Sequence, residues 1–321
     1  MEKITQLMAS DIAILNKVIR QDLDSKIVLI NQISEYIINA GGKRLRPLLT
    51  LLCGRIAGYT EGQLLHKMAA MIEYIHTATL LHDDVVDESG MRRGYKTSNA
   101  VFGNAASILV GDFIYTRAFQ MMIKADSLRL LNIMADSTNQ ISEGEVLQLL
   151  NIGRHDLTEA EYFQVIRSKT ATLFEAAARV AAIVSGSTAT VEEHLVQYAL
   201  GLGTAFQIVD DILDYTGDMQ NMGKNVGDDL LEGKVTLPLL YLLKNGTAEE
   251  KRLIAAAINQ PQEANIQLIV ATINSSSAIK YCADRAALYV NKAISELNYF
   301  PESVYKEAMI ELANLAVNRI K

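Results

Sequence analysis

Three aspartates in the order DDxxD occur twice in this chain, as Asp83, Asp84 and Asp87 and again as Asp210, Asp211 and Asp214. On a helix, residues i and i+4 stack one turn apart on one face, which pairs Asp83 with Asp87 and Asp210 with Asp214. Stacked carboxylates repel and destabilise a bare helix. A divalent cation between them reverses that sign, and hard oxygen ligands with room for water and phosphate suit Mg²⁺. One cluster alone reads as an acidic surface turn. Two, each directly after an apolar, small-residue stretch, read as buried charge that needs counter-charge. His76 lies seven residues before Asp83 and falls on the same face.

Cations surround these carboxylates in the sequence. Lys43 and Arg46 sit between Gly41-Gly42 and Pro47. The glycines end one helix and the proline suits the first turn of the next, so both cations project from a helix N-terminus that already favours anions. The GxxxxGK[ST] spacing of a Walker loop is absent, and read alone the turn serves equally as a basic cap. Arg92 and Arg93 follow the first cluster, Lys169-Thr170 interrupts a helical stretch, and Gln207 stands one turn before Asp211. Lys224 and Lys234 lie beside Asp228 and Asp229 in a glycine-rich loop that reads as a lid or as ordinary exposed chain.

Carboxylates that need metal and cations that need strong negative charge are both satisfied by a diphosphate. An interior of Ala, Leu, Ile and Met implies that the rest of the ligand is hydrocarbon. One basic group around Lys43, Arg46, His76 and Arg93, and another around Lys169, Lys224 and Lys234, suggest two diphosphates. The chemistry is metal-assisted departure of pyrophosphate from a lipid-like substrate, followed by carbon–carbon bond formation. Mg²⁺ would act as Lewis acid. Cationic side chains would neutralise charge as it develops, and Thr170 and Gln207 could aim dipoles at a carbocation in a dry cavity.

The elements that must position these groups are helical. Nearly every segment has a 3.6-residue period, and no run of alternating β-branched residues predicts a strand. Helices are expected over 2–21, 25–39, 98–122 (fully buried), 127–150, 159–187 and 190–214, and over five scaffold segments from Pro238 onward. Glu143 and Glu145 read as a solvated or paired face. No internal repeat and no low-complexity linker appear, so a single domain over 1–321 is expected.

Composition excludes several classes. The net charge of −7 argues against nucleic-acid binding. Half of the 321 residues are hydrophobic, which is ample for a large core. Two cysteines, Cys53 and Cys282, sit in apolar patterns and read as reduced core residues, as expected of a cytoplasmic protein. The amphipathic start lacks a signal-peptide h-region, and no run is long enough to span a membrane, so a soluble protein is expected.

GGKRLRP, LLHDDVVDESGMRRG, SKTATLF, GTAFQIVDDILDY and GKNVGDDLLEGK, in that order, resemble the trans-isoprenyl (polyprenyl) diphosphate synthases over essentially the whole chain. LVGDFIYTRAFQMM and ISEGEVLQLLN are most similar to the bacterial octaprenyl-forming members. The resemblance implies an all-α fold, a single large helical bundle of isoprenoid synthase type around a central cavity, usually a homodimer. It implies extension of an allylic diphosphate by isopentenyl diphosphate, here to all-trans octaprenyl diphosphate for a respiratory quinone side chain. Lys43, Arg46, His76 and Arg93 would hold isopentenyl diphosphate. Arg92, Lys169, Thr170, Gln207, Lys224 and Lys234 would hold the allylic diphosphate. Asp83, Asp87 and Asp210, supported by Asp84, Asp211 and Asp214, would bind Mg²⁺, which makes Lys169, Thr170, Gln207, Asp83 and Asp210 the catalytic set.

Product length should depend on residues one or more turns before Asp83. Ala78 and Thr79 are small where short-chain members carry aromatics, so the tunnel should be open there. Phe119, Met121, Met122 and Ile123 are candidates for its floor, against ordinary core packing. At most transient membrane contact is expected, for product release. Competing readings are a different product length, a terpene cyclase, which needs only one diphosphate, and a non-catalytic subunit, which would lack the aspartate motifs.

Overall fold

A computed structural model describes residues 1–42, 44–92, 94–217 and 226–320. The expected helical segments form, several of them broken into shorter helices. The first stretch breaks at Met8 into α1 (Glu2–Leu7) and α2 (Ala9–Asp22), followed by α3 (Val28–Asn39), α4 (Leu45–Ile56) and α5 (Leu64–Val86). A short antiparallel hairpin, β1 (Met91–Arg92) with β2 (Tyr95–Lys96), occurs where no strand was expected.

The stretch over 98–122 is two helices, not one. Gly103 has φ +86°, and this left-handed residue separates α6 (Ser98–Phe102) from α7 (Asn104–Ile123). Nor is the segment fully buried: Val101, Ile108 and Leu109 are exposed, Leu109 at 67%. Helical period alone cannot distinguish an apolar face that meets core from one that does not.

Next come α8 (Leu128–Leu150), α9 (Glu159–Ile166), a π-helical turn (Arg167–Ala171), α10 (Thr172–Val184) and α11 (Ala189–Thr216). Thr158 and Glu161 start α9 with a reciprocal capping box. The remainder is α12 (Asp228–Leu231), α13 (Leu237–Asn245), α14 (Ala248–Asn259), α15 (Ile266–Ser275), α16 (Ala278–Glu296) and α17 (Val304–Val317), the last closing in a 3₁₀ turn. No described helix is long and apolar enough to cross a membrane.

The chain divides into two compact units. One comprises Met1–Thr138, Leu173–Ala199 and Glu296–Leu312. Its axis is α5, which packs on α2, α4 and α7. Leu65, Met68, Met71, Ile72, Ile75 and Ala78 are fully buried, as expected of a helix that is apolar nearly all round. Gly111 of α7 lies where a β-carbon would collide with the His82 ring, so its lack of a side chain lets the two helices close. Beneath them, Asp11 of α2 is 5% exposed and accepts from Arg55 Nε at 3.1 Å, with His66 Nε2 at 2.8 Å.

The other unit comprises Asn139–Thr172, Leu200–Ser295 and Ala313–Lys321. Within it α13 packs on α9, α14 and α15. Gly144 of α8 would bring a β-carbon to 2.7 Å from the Lys169 backbone nitrogen, so only glycine admits the π turn at this spacing.

Candidate active site

In the first unit, α3 passes to α4 through Gly41 (φ +80°), Gly42 (φ +154°) and Arg44 (φ +44°), a sharp turn that needs the glycine pair. Arg46 follows in the first turn of α4. Its Nη1 lies 3.1 Å from His76 Nε2, and its guanidinium lies 4.7 Å from the centroid of the Phe174 ring. Arginine can only donate, so the facing His76 Nε2 carries the lone pair and the imidazole proton is on Nδ1. The two residues form a paired, half-buried edge suited to an anion. Lys43 and Arg93, assigned to the same substrate, lie outside the described residues.

Asp83 and Asp87 are half-buried, and Asp84 is fully buried. Consecutive residues on a helix are 100° apart, so Asp84 cannot share the face of its neighbours. Its Oδ1 accepts from Arg92 Nε at 2.7 Å and lies 2.6 Å from Nη2. The hairpin is tied down around this pair. Asn99 Nδ2 donates to the Asp84 carbonyl at 3.0 Å, Thr97 Oγ1 to the Ser89 carbonyl at 2.6 Å, and Tyr36 Oη to the Lys96 carbonyl at 2.7 Å. A pocket between α3, α5 and the hairpin is lined by Tyr36, His76, Asp84, Arg92 and Lys96.

Ala78 and Met122 are 0% and 1% exposed, and Thr79 is half-buried, its hydroxyl donated to the His76 carbonyl. Of the proposed floor residues, Ile123 faces outward, and the Phe119 ring stands edge-on to Tyr115 at 5.3 Å.

In the second unit, Lys169 and Thr170 sit on the π turn, a geometry that adds a residue to a helix and often marks functional positions. Lys169 Nζ donates to Glu145 Oε2 and, at 2.7 Å, to Gln148 Oε1. Thr170 Oγ1 donates to Gln207 Oε1 at 2.8 Å. Gln207 Nε2 in turn donates to Asp211 Oδ1 at 2.8 Å, and Tyr162 Oη donates to Asp211 Oδ2 at 2.6 Å.

Burial and the charges of Asp229 and Asp210 push the Asp211 carboxyl up to about 8, against the hydrogen bonds from Tyr162 and Gln207. Burial, with Asp211 beside it, raises the Tyr162 phenol well above its ordinary range, so it stays a donor. Asp210 is more open, and Arg319 of the terminal turn places Nη1 2.7 Å from its Oδ1. The same guanidinium stacks on Phe206 at 4.9 Å. Asp214 is buried, and its carbonyl accepts from Gly227 N at 2.8 Å. Lys234 Nζ lies 2.6 Å from Glu232 Oε2. Lys224, and much of the loop read as a lid, lie outside the described residues.

Tyr162, Gly144, Gln148 and Arg319 carry no motif and were not singled out from sequence. The one available signal was the glycine inside ISEGEVLQLL, a residue that costs helix stability unless close packing requires it. Glu145, read only as a solvated or paired face, is the partner of Lys169.

The donor set fits a divalent cation. Every candidate ligand is a hard carboxylate, and Asp84 Oδ2 is buried without a hydrogen bond. Among the described residues no three acidic, histidine or cysteine side chains already converge. Each pair would therefore leave most of the coordination shell to water and phosphate oxygens, as Mg²⁺ prefers.

The model of the polyprenyl synthetase family matches residues 27–273. The chain is 51% identical to the octaprenyl diphosphate synthase of Escherichia coli (strain K12), over 99% of both chains. It is 50% identical to that of Haemophilus influenzae, over 99% of this chain and 97% of the relative. The crystal structure of a polyprenyl synthase from Caulobacter crescentus CB15, complexed with calcium and isoprenyl diphosphate, superposes with a TM-score of 0.96 at 42% identity, covering 100% of this chain and 98% of that one. A decaprenyl diphosphate synthase from Rhodobacter capsulatus superposes at 0.93 with 37% identity, covering 100% and 99%. A chain matched by the family model over most of its length, and similar to these enzymes from end to end, belongs to the polyprenyl synthetase family.

Proposed function

We propose that this enzyme elongates an allylic diphosphate, with farnesyl diphosphate as primer, by successive condensation with isopentenyl diphosphate to all-trans octaprenyl diphosphate. The observation that carries this is the full-length identity of 50–51% to octaprenyl diphosphate synthases, together with intact aspartate clusters. The product suits the side chain of a respiratory quinone. We read the whole chain as one catalytic domain, since the family model runs through both compact units.

Asp83 and Asp87, and Asp210 with Asp214, are the residues we assign to Mg²⁺, with Asp84 and Asp211 behind them. Magnesium held there supplies Lewis-acid charge to the departing diphosphate. Arg92, Lys169, Lys224 and Lys234 bind and neutralise the allylic diphosphate. Lys43, Arg46, His76 and Arg93 hold isopentenyl diphosphate, and the neutral His76 imidazole offers it Nδ1–H as a donor. Thr170 and Gln207 present oxygen dipoles to the allylic cation. We assign the proton to the departing pyrophosphate, as the resemblance to the family implies.

We further infer a homodimer that uses the outward face of α7. Ile108 at 40% exposure and Leu109 at 67%, with Val101 of the preceding α6 at 46%, are apolar side chains that burial against a second copy would stabilise.

The test is product mass. The purified chain, farnesyl diphosphate, isopentenyl diphosphate and Mg²⁺ should give a C40 majority after dephosphorylation, and chelation should abolish it. A C20 or C50 majority would retain the chemistry and overturn the product length. Binding without elongation would overturn the reading altogether.

A further inference from the structure

Arg44 stands at the head of α4 in the left-handed region, at φ +44° and ψ +47°. A β-carbon makes that region costly. Glycine enters it freely, and asparagine and aspartate do so through short polar side chains that bond locally. A residue that opens a helix is ordinarily extended and caps the helix with its side chain. Arg44 is left-handed and makes no such cap bond. Its carbonyl accepts the first bond of α4, from Leu48 N at 3.0 Å, while its Nη1 donates to Asn16 Oδ1 of α2. Backbone strain of this kind persists only where surrounding contacts hold it, and it collects at functional positions.

The Asn16 contact closes a ring. Asn16 lies one turn before Ile19, whose carbonyl accepts from the Tyr74 hydroxyl of α5 at 2.7 Å. Two residues further along α5, His76 Nε2 meets Arg46 Nη1. The turn between α3 and α4 is thus attached to α5 directly through Arg46, and again through α2 at Arg44. A short segment held at both places keeps its orientation, where one attachment leaves it free to swing. Arg44 also lines the pocket beside His76 and Arg92, where its charge alone would suggest a further contact to diphosphate. A charge serves from any backbone conformation, however, and that role leaves the left-handed backbone without a purpose. We propose that Asn16 and Arg44 are positioning residues for isopentenyl diphosphate: Asn16 holds Arg44 left-handed, and that conformation aims the first turn of α4, with Arg46, at His76 and the substrate. The inference rests on the reading above that isopentenyl diphosphate binds at Arg46 and His76.

Steady-state kinetics with farnesyl and isopentenyl diphosphates across a series at Arg44 separates a strut from a ligand. Arg44→Gly and Arg44→Asn lack the charge but accept the left-handed region. They should keep KM for isopentenyl diphosphate within about twofold, and Arg44→Ala, which resists that region, should raise it about tenfold. Asn16→Ala should likewise raise this KM about tenfold and leave kcat and KM for farnesyl diphosphate near normal. Asn16→Asp keeps the acceptor and should behave as the unaltered chain. Adding Arg44→Gly to Asn16→Ala should recover most of the loss, since glycine needs no strut. Equal losses in the glycine, asparagine and alanine variants would make Arg44 a diphosphate ligand and overturn the proposal. An indifferent Asn16→Ala, or no recovery with glycine, would overturn it as well. If thermal melting shows that Asn16→Ala does not fold, the Arg44 series decides by itself. Failure of the unaltered chain to condense the two substrates would defeat the functional reading; normal condensation with an Arg44 series ordered by charge would defeat only this inference.

Discussion

Arg92, half-buried, and Asp84, fully buried, form an ion pair in which Nε and Nη2 both meet Oδ1, at 2.7 and 2.6 Å. The pair joins the hairpin to the end of α5, and Asp84 itself is 0% exposed. An aspartate of the first metal motif thus also anchors an arginine proposed to bind diphosphate. Arg92→Gln strands a buried carboxylate, which should destabilise the first unit by about 3 kcal/mol. The same variant should raise KM for the allylic diphosphate and leave KM for isopentenyl diphosphate near normal. Denaturant unfolding and steady-state kinetics check both. Unchanged stability would mean that Asp84 finds its counter-charge elsewhere.

Ala78 is fully buried in α5, a turn before the first aspartates. If this helix lines the hydrocarbon tunnel, Ala78→Tyr fills space the product needs. Mass spectrometry should then show a majority shorter than C40, with melting little changed. If Ala78 is ordinary core, overpacking costs about 1–3 kcal/mol and product length stays the same.

Acid stability should depend on Asp11. Burial alone would raise its carboxyl, but hydrogen bonds from His66 and Arg55 outweigh it and hold the group from 3.8 down to about 2. A carboxyl depressed in the folded state stabilises fully above its unfolded value and loses that contribution as pH falls through the folded one. The contribution is about 2 kcal/mol, lost between about pH 4 and pH 2. Asp11→Asn should be less stable at neutral pH, and its stability should fall less steeply over that range. Urea unfolding at several pH values measures the difference.

The exposed face of α7 should decide assembly. Leu109→Glu places a charge where 67% of the residue is open, so it is harmless to an isolated chain but costly in an apolar interface. Light scattering should show the mass halve. A mass unaffected by the substitution would place any dimer contact on another face.

How much was legible in the sequence follows from distance along the chain. The helices came from the 3.6-residue period of the apolar residues, and the stacking of Asp83 with Asp87 and of Asp210 with Asp214 followed from the same period. The cation inventory then pointed to a diphosphate and a hydrocarbon, because oppositely charged groups in an apolar interior need each other. All of these are local properties, set by residues within about a turn. The π turn at Lys169 was visible as an interruption but not as a geometry, and the break at Gly103 was hidden in an apolar run.

What only the tertiary structure decided is which partner each charged group meets. Asp84 turns from the face of Asp83 to Arg92, Lys169 meets Glu145, Arg319 meets Asp210, and Tyr162 meets Asp211. Tyr162 and Asp211 are 49 residues apart. Their 2.6 Å contact depends on how two helices pack, and no period in the sequence encodes that. Local spacing determined the chemistry available to this protein; packing determined which of its groups orient which.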